Sequence, residues 1–154
     1  MRHALWMMVL TAASLGAQGA LARDMVSAHN AVRARLELPP LAWSVRLEAI
    51  AQAWANTLLA RKQFFHRPHG SYGENLFEIS GAGASPAGVV REWASESRNY
   101  NYSSNRCHGV CGHYTQIVWR DTKQVGCGVA RDRRQEIWVC NYDPPGNWAG
   151  QRPY

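Results

Sequence analysis

The sequence predicts an α+β fold in which helices cover an antiparallel sheet. Apolar residues at helical spacing occupy the first part of the chain, and short runs of β-branched and aromatic residues are concentrated near its end. Helices followed by a cluster of strands are typical of an α+β sandwich. The 154 residues include seven Trp and six Tyr, which is enough for one core, so we expect a single compact domain.

The N-terminal segment differs in composition from the rest of the chain. A charged start precedes an apolar stretch from Ala4 to Leu15, and small residues follow up to Ala22. This order is typical of a secretory signal peptide, and the stretch is shorter than the ~20 residues that span a bilayer. We therefore predict a signal peptide at 1–22, a single domain at 23–154, and a secreted protein, extracellular or periplasmic, that does not span a membrane.

Two helices are predicted next. The first begins near Asp24 and is ended by the prolines at 39 and 40, and its apolar stripe consists of Met25, Ala28, Val32 and Leu36. Ser44 is the predicted N-cap of the second helix, whose stripe consists of Leu47, Ile50, Ala51, Trp54 and Leu58. Residues 64–70 are predicted to be irregular because proline and glycine interrupt regular pairing.

A tight turn is predicted at Gly73–Leu76, and a third helix begins at Ser85 with proline in its first turn. On that helix Glu96 follows Trp93 by three residues, at the edge of the apolar stripe. The residues alone leave two interpretations of Glu96 open, an exposed rim charge or part of a buried polar site.

The end of the chain is predicted to form strands. Gly112–Trp119 reads as a largely buried strand closed by a turn, because it contains aromatic and β-branched residues in a short run. Two more strands, Val125–Ala130 and Glu136–Tyr142, are joined by a turn at Asp132. An ordered but irregular tail runs from Asp143 to Tyr154.

Four cysteines in an exported chain favour disulfide bonds. Cys107 and Cys111 are close enough to close a small loop, while Cys127 and Cys140 flank the predicted hairpin. We therefore predict the pairs 107 with 111 and 127 with 140. The alternative is a zinc knot, whose ligands would be Cys107, His108, Cys111 and His113.

Charge excludes one class of partner. The chain has 17 basic and 11 acidic residues, a net charge of +6, but the basic side chains are scattered rather than clustered. This pattern indicates an ordinary basic surface, so we expect no nucleic-acid partner. An acidic envelope or an anionic lipid remains a candidate partner, and a monomer is expected.

Several motifs together resemble the CAP superfamily, which comprises cysteine-rich secretory proteins, antigen 5 and the pathogenesis-related group 1 proteins. They are GENL at 73–76, GHYTQIVW at 112–119 and CNYDPPGNW at 140–148. YNYSSNRC at 100–107 and the ending GQRPY look closest to the pathogenesis-related group. The plant members usually carry six cysteines, so this chain lacks one pair.

The resemblance implies a three-layer α-β-α sandwich with a central antiparallel sheet and a cleft lined by two histidines and two acidic residues. The matching positions here are His66, Glu74, Glu96 and His113, with His69 as the alternative to His66. These four residues are the candidate ligands for zinc or another divalent cation and also the candidate catalytic residues. The remaining alternative is a polar network that only holds the loops.

The resemblance also implies roles in defence or host interaction and the binding of a sterol or lipid. The predicted ligand loop contains Tyr100, Tyr102 and His108. A metal-assisted or His/Glu-assisted hydrolase is the alternative, for which Ser71 and Thr115 are candidate hydroxyl nucleophiles. A further alternative is release of residues 144–154 as a signalling peptide; otherwise the tail packs over the sheet, anchored by Tyr142 and Trp148.

Overall fold

The computed structural model describes residues 4–81 and 83–154. Its helices are α1 (Ala4–Ala34), α2 (Val45–Arg61), α3 (Pro86–Ser95) and α4 (Gly112–Ile117), and a short 3-10 helix covers Glu96–Asn99. Its strands are β1 (Ala42–Trp43), β2 (Gly73–Ser80), β3 (Tyr100–Asn101), β4 (Arg106–Cys107), β5 (Gln124–Arg131) and β6 (Gln135–Asp143). The α+β class is confirmed.

The central sheet has the order β1-β5-β6-β2. The three long strands pair antiparallel, as expected, whereas the two-residue β1 pairs parallel with β5, so the sheet is mixed. The two-residue strands β3 and β4 form a separate hairpin.

Helices cover both faces of this sheet. On one face α2 contributes Ala51, Ala55 and Leu58, which pack against Leu76 and Val139. A Cβ atom at Gly126 would lie 2.6 Å from the Ser44 carbonyl oxygen, so glycine in β5 lets the start of α2 approach the sheet closely. On the other face α1, α3 and α4 pack around a larger cluster, which includes Met25, Val90, Trp93, Ile117 and Trp138.

The helix signals in the sequence are largely confirmed. The Ser44 hydroxyl accepts a hydrogen bond from the Leu47 amide at 3.3 Å, and the Ser85 hydroxyl accepts one from the Gly88 amide at 3.1 Å. The first helix starts much earlier than predicted, so the predicted cleavage point after residue 22 falls within a continuous α1. Cleavage stays a prediction, and residues 1–3 of the predicted leader lie outside the described residues. No described helix is both long and apolar enough to cross a bilayer.

Two local predictions were wrong. Gly112–Ile117 is a helix rather than a strand, and its four residues Tyr114 to Ile117 are all buried. Burial on every side removes the 3.6-residue periodicity that would distinguish a helix from a buried strand. Gly73–Leu76 is the beginning of strand β2 rather than a turn, and its pairing with β6 is regular from its first residue.

Both predicted disulfides are present, Cys107 with Cys111 and Cys127 with Cys140. The second joins directly opposite residues of β5 and β6. Because the sulfurs of Cys107 and Cys111 are bonded to each other, the alternative of a zinc knot is wrong.

The tail packs against α4 and the β3–β4 hairpin. The Gly146 amide donates to the Gln116 side chain at 3.1 Å, and the Arg120 amide donates to the Pro153 carbonyl at 2.6 Å. Tyr142 is fully buried, as expected of an anchor, but Trp148 is 56% exposed. The expectation that Trp148 anchors the tail was therefore wrong, and hydrogen bonds to the Gln116 side chain and to the Arg120 backbone hold the tail instead.

Candidate functional site

A polar cleft of about 450 Å³ lies where β2 begins. Its walls are the irregular segment before β2, the start of β2 itself, β6 and the first residues of the tail. The residues that carry its chemistry are His66, His69, Ser71, Glu74, Gln116 and Asn141. The irregular segment leaves α2 at Lys62, whose left-handed φ of 53° ends the helix, and returns the chain to the sheet edge.

His66 and Glu74 form an ion pair in this cleft. The His66 Nδ1 atom lies 2.8 Å from Glu74 Oε1, and the Arg67 amide donates to the same oxygen at 3.0 Å. The hydrogen bond to Glu74 raises the pKa of His66 above its ordinary value. In the neutral imidazole whose Nδ1 donates to Glu74, Nε2 carries the lone pair and is the nitrogen available for a ligand or a reacting proton.

The other oxygen of Glu74 has no hydrogen-bond partner among the described residues, although it is buried. The same is true of Asn141 Oδ1. Glu74 and Asn141 are directly opposite each other on β2 and β6, so their side chains share one face of the sheet. Two buried acceptors without donors therefore line the same cleft, and both favour a cation or a donor group.

The arginines at the cleft are already engaged. Arg46 donates to the Tyr72 hydroxyl at 2.7 Å and to Asp143 at 2.8 Å. Arg67 donates to the Ile50 carbonyl at 2.8 Å. Neither guanidinium is hydrogen-bonded to the unpartnered oxygen of Glu74.

The other two predicted site residues, His113 and Glu96, also form a pair. His113 Nδ1 lies 2.7 Å from Glu96 Oε1, and the His113 amide donates to Glu96 Oε2 at 3.0 Å. The His113 ring stacks on Trp93 with an interplanar angle of 14°. The Glu96 side chain is only 16% exposed, so of the two interpretations left open for Glu96, the structure has the buried polar site.

The two pairs line different cavities. His113 and Glu96 line a separate depression of about 320 Å³. Side chains alternate along β2, so Glu74 lies on the face that packs against α2, whereas Asn75 points the other way and donates to the His113 carbonyl at 3.1 Å. Across residues 4–81 and 83–154, no three side chains among His, Cys, Asp and Glu are grouped closely enough to hold one metal ion.

The sequence analysis missed a buried hydrogen-bonded chain beside these pairs. His29 Nδ1 donates to the Met25 carbonyl at 2.8 Å, and the Tyr142 hydroxyl donates to His29 Nε2 at 2.9 Å. Asn75 in turn donates to the Tyr142 oxygen at 3.1 Å. Complete burial lowers the pKa of His29 from 6.5 to about 4 and raises that of Tyr142 well above 10. This chain connects α1 to the backbone that carries His113.

Arg33 was missed as well. Its guanidinium is fully buried and donates to five carbonyl oxygens, at 2.8–3.4 Å, which belong to Pro39, Ile117, Trp119, Arg120 and Thr122. Desolvation lowers its pKa to about 10. Met25, His29 and Arg33 are spaced by four residues and lie on one face of α1. His29 and Arg33 on that otherwise apolar face were the sequence signal for a buried polar network.

The predicted ligand loop lies away from the cleft. Tyr100 lines a groove of about 290 Å³ between the hairpin, α4 and the tail. Tyr102 is exposed and stacks on Tyr154 at 4.8 Å between ring centroids, while His108 is exposed and its amide donates to the Asn99 carbonyl.

The two candidate nucleophiles have different surroundings. Ser71 and the alternative histidine His69 line the same cleft as His66. The Thr115 hydroxyl instead contacts Asn147 at 2.7 Å and the Cys111 carbonyl at 3.2 Å, so it serves to hold the tail on α4.

Comparisons with known proteins agree with this architecture. The family profile "Cysteine-rich secretory protein family", CAP, matches residues 26–142. "Pathogenesis-related protein 1" of Arabidopsis thaliana is 45% identical over 133 residues, covering 86% of this chain and 81% of the relative. The "Basic form of pathogenesis-related protein 1" of Nicotiana tabacum is 46% identical over 138 residues, covering 86% and 75%.

Solved structures share the fold. Venom allergen-like protein 4 of Schistosoma mansoni superposes with a TM-score of 0.72 at 28% identity, covering 87% of this chain and 93% of its own. NaASP2, whose structure was solved with Zn²⁺, superposes with a TM-score of 0.71 at 23% identity. The match covers 86% of this chain and 84% of NaASP2.

Proposed function

The chain belongs to the CAP family of cysteine-rich secretory proteins, and from that membership we propose a secreted, defence-related protein whose polar cleft binds a divalent cation. Its relatives named pathogenesis-related protein 1 support the defence role. The two disulfides are consistent with an extracellular location.

The observation that carries the cation proposal is the buried, unpartnered Glu74 Oε2 beside the equally unpartnered Asn141 Oδ1. An ion there would gain a carboxylate and an amide oxygen, with His66 Nε2 as the nitrogen ligand on the same rim. Such a mixed nitrogen and oxygen set suits zinc and several other divalent ions. The zinc-bound structure of NaASP2, which has the same fold, is consistent with it. His113 and Glu96 are then a second pair, on the opposite side of β2.

A calorimetric zinc titration tests this proposal. Glu74→Gln keeps the shape of the side chain but removes its charge, so zinc binding should weaken at least about tenfold. Glu78→Gln is the matched control, because Glu78 lies exposed on the same face of β2. If His113→Ala abolishes binding as fully as Glu74→Gln, all four residues serve one site. No heat in the wild-type protein would leave the cleft a structural network.

We further propose that the groove beside the β3–β4 hairpin binds a sterol or lipid. Exposed apolar side chains support it, since Trp148 lines the groove and Tyr102 and Val110 lie on neighbouring segments. Trp148→Ala should weaken binding of a fluorescent sterol or fatty acid, whereas Val45→Ala, an exposed apolar residue on α2, should not. Undetectable binding of both ligand classes would contradict this proposal.

The hydrolase alternative depends on Ser71, which shares the cleft with His66. His66 can act as a general base through Nε2 while Glu74 orients the ring. Turnover of peptide or ester substrates that is lost in Ser71→Ala and in His66→Ala, with the fold retained, would establish it. Absence of turnover across both substrate types would remove it.

Release of residues 144–154 is a separate proposal. The Thr122 hydroxyl donates to the Pro144 carbonyl at 2.9 Å, and Gly146 and Pro153 are also hydrogen-bonded. Cleavage after Asp143 must therefore be followed by dissociation of a packed segment. Mass spectrometry of secreted material, searched for the eleven-residue fragment, decides whether this occurs.

A further inference from the structure

We propose that Asn101 is an N-glycosylation site. Asn101, Tyr102 and Ser103 form the sequence N-x-S, in which x is not proline. In a protein that passes through a eukaryotic secretory pathway, this pattern is the acceptor for a pre-assembled oligosaccharide.

The hairpin presents this acceptor to solvent. Asn101 is the last residue of β3, and residues 102–105 form the turn that leads into β4. Asn101 and Ser103 are both exposed. The Asn101 side-chain oxygen accepts a hydrogen bond from the Ser104 amide at 3.0 Å, which fixes the side chain against the turn.

The side-chain nitrogen of Asn101 takes no part in the hydrogen bonds of the described residues. Within the described part of the chain, Asn101 Nδ2 donates to no other group. By contrast, the neighbouring Asn99 donates through Nδ2 to the Val110 carbonyl at 2.7 Å, and Asn105 donates to the tail. Modification of Asn101 at this atom therefore breaks no hydrogen bond of the folded domain.

The fold also tolerates a large substituent at this place. The hairpin is held through its backbone, since Arg152 donates to the Tyr102 and Ser103 carbonyls and the Tyr102 ring stacks on Tyr154. These contacts lie on the side of the tail and leave the Asn101 side chain in solvent. Asn101 does not line the polar cleft, so a glycan on it leaves the access to Glu74 open.

The modification is a group transfer from a lipid-linked oligosaccharide pyrophosphate. A bond forms between Asn101 Nδ2 and the anomeric carbon of the first sugar, while the bond from that carbon to the pyrophosphate oxygen breaks. The leaving lipid pyrophosphate takes the bonding electron pair, and Nδ2 loses one proton to the transferase or to solvent. The Ser103 hydroxyl is the group that the transferase requires two residues after the asparagine.

The test is to express the full chain in eukaryotic cells that secrete proteins. The intact mass is then measured for the protein in the medium and for the protein retained inside the secretory compartments of the cells. We expect one discrete mass increase corresponding to a single core glycan. Treatment with a peptide N-glycosidase should remove it and convert the asparagine at 101 to aspartate. Ser103→Ala should abolish the increase, whereas the matched change Ser104→Ala, at the next exposed serine, should retain it.

Two results would overturn the proposal. One is unmodified wild-type protein in both fractions when a glycoprotein co-expressed in the same cells is modified. The other is a glycan that persists in Ser103→Ala and in Asn101→Gln, which would place it elsewhere. Neither result bears on the zinc titration, so this proposal and the cation proposal fail independently.

Discussion

The His66 imidazole, which is 64% exposed, is held at 2.8 Å by a Glu74 carboxylate that is only 8% exposed. A buried carboxylate is thus hydrogen-bonded from the solvent side by an exposed imidazole. The other carboxylate oxygen of Glu74 is buried and has no donor among the described residues.

This pair makes a prediction about titration. Because the hydrogen bond to Glu74 raises the pKa of His66, Glu74→Gln should move that pKa back toward 6.5 in an NMR titration of the ring. The stabilisation from the pair is complete below pH 6.5 and is lost as the pH rises through the raised value. Glu78→Gln should leave the titration of His66 unchanged. If both variants shifted the pKa of His66 equally, the shift would come from the overall negative charge of the strand and not from the contact with Glu74.

His29 predicts the opposite dependence on pH. Its pKa is lowered to about 4 in the folded protein, so between pH 6.5 and 4 only the unfolded chain takes up a proton there. The free energy of unfolding should therefore fall over this range by on the order of 3 kcal/mol from His29 alone. In His29→Gln this contribution disappears, and the stability difference from wild type should shrink on acidification. Denaturant unfolding at several pH values measures it, and a constant difference would refute the prediction.

Arg33 should be required for stability. Arg33→Ala leaves several buried carbonyl oxygens without donors, and we expect a loss of more than about 3 kcal/mol in the free energy of unfolding. Arg35→Ala is the control, because Arg35 is exposed and lies two residues away at the end of α1. Thermal unfolding of the two variants compares them, and similar midpoints would contradict the role given to Arg33.

A side chain at Gly73 should destabilise the fold. A Cβ atom there would overlap the Gln116 amide, lying 2.8 Å from its Cδ atom. Gly73→Ala must therefore displace Gln116, which releases the Gly146 amide and costs about 1–3 kcal/mol. The tail should become more sensitive to proteolysis in this variant. Gly70→Ala, where the nearest atom lies at 3.7 Å, should behave like wild type.

Much of the fold was predictable because its signals are local. Ser44 and Ser85 mark helix starts through bonds to amides three residues away, and Cys127 and Cys140 face each other because a short hairpin connects their strands. The resemblance also named the four residues of the two pairs, His66, Glu74, Glu96 and His113, but as the lining of one cleft and without saying which residue pairs with which.

Other features depend on contacts that no local signal contains. The segment predicted as a strand contains the helix Gly112–Ile117, whose buried residues Tyr114 to Ile117 hide its helical periodicity. His29 and Arg33 look like ordinary polar residues until their distant partners are known.

The sequence by itself determined the family, the α+β class and the disulfides, because motifs, periodicity and cysteine spacing are local in the chain. Through the family motifs it also named the four polar residues, but not how they pair. Only the tertiary structure decided that Glu74 and Asn75 point to opposite faces of β2, which places the two pairs in different cavities. The tertiary structure also decided which carboxylate oxygen of Glu74 has no hydrogen-bond partner among the described residues. The physical reason is that hydrogen-bond partners and side-chain burial are set by strands and helices far apart in sequence.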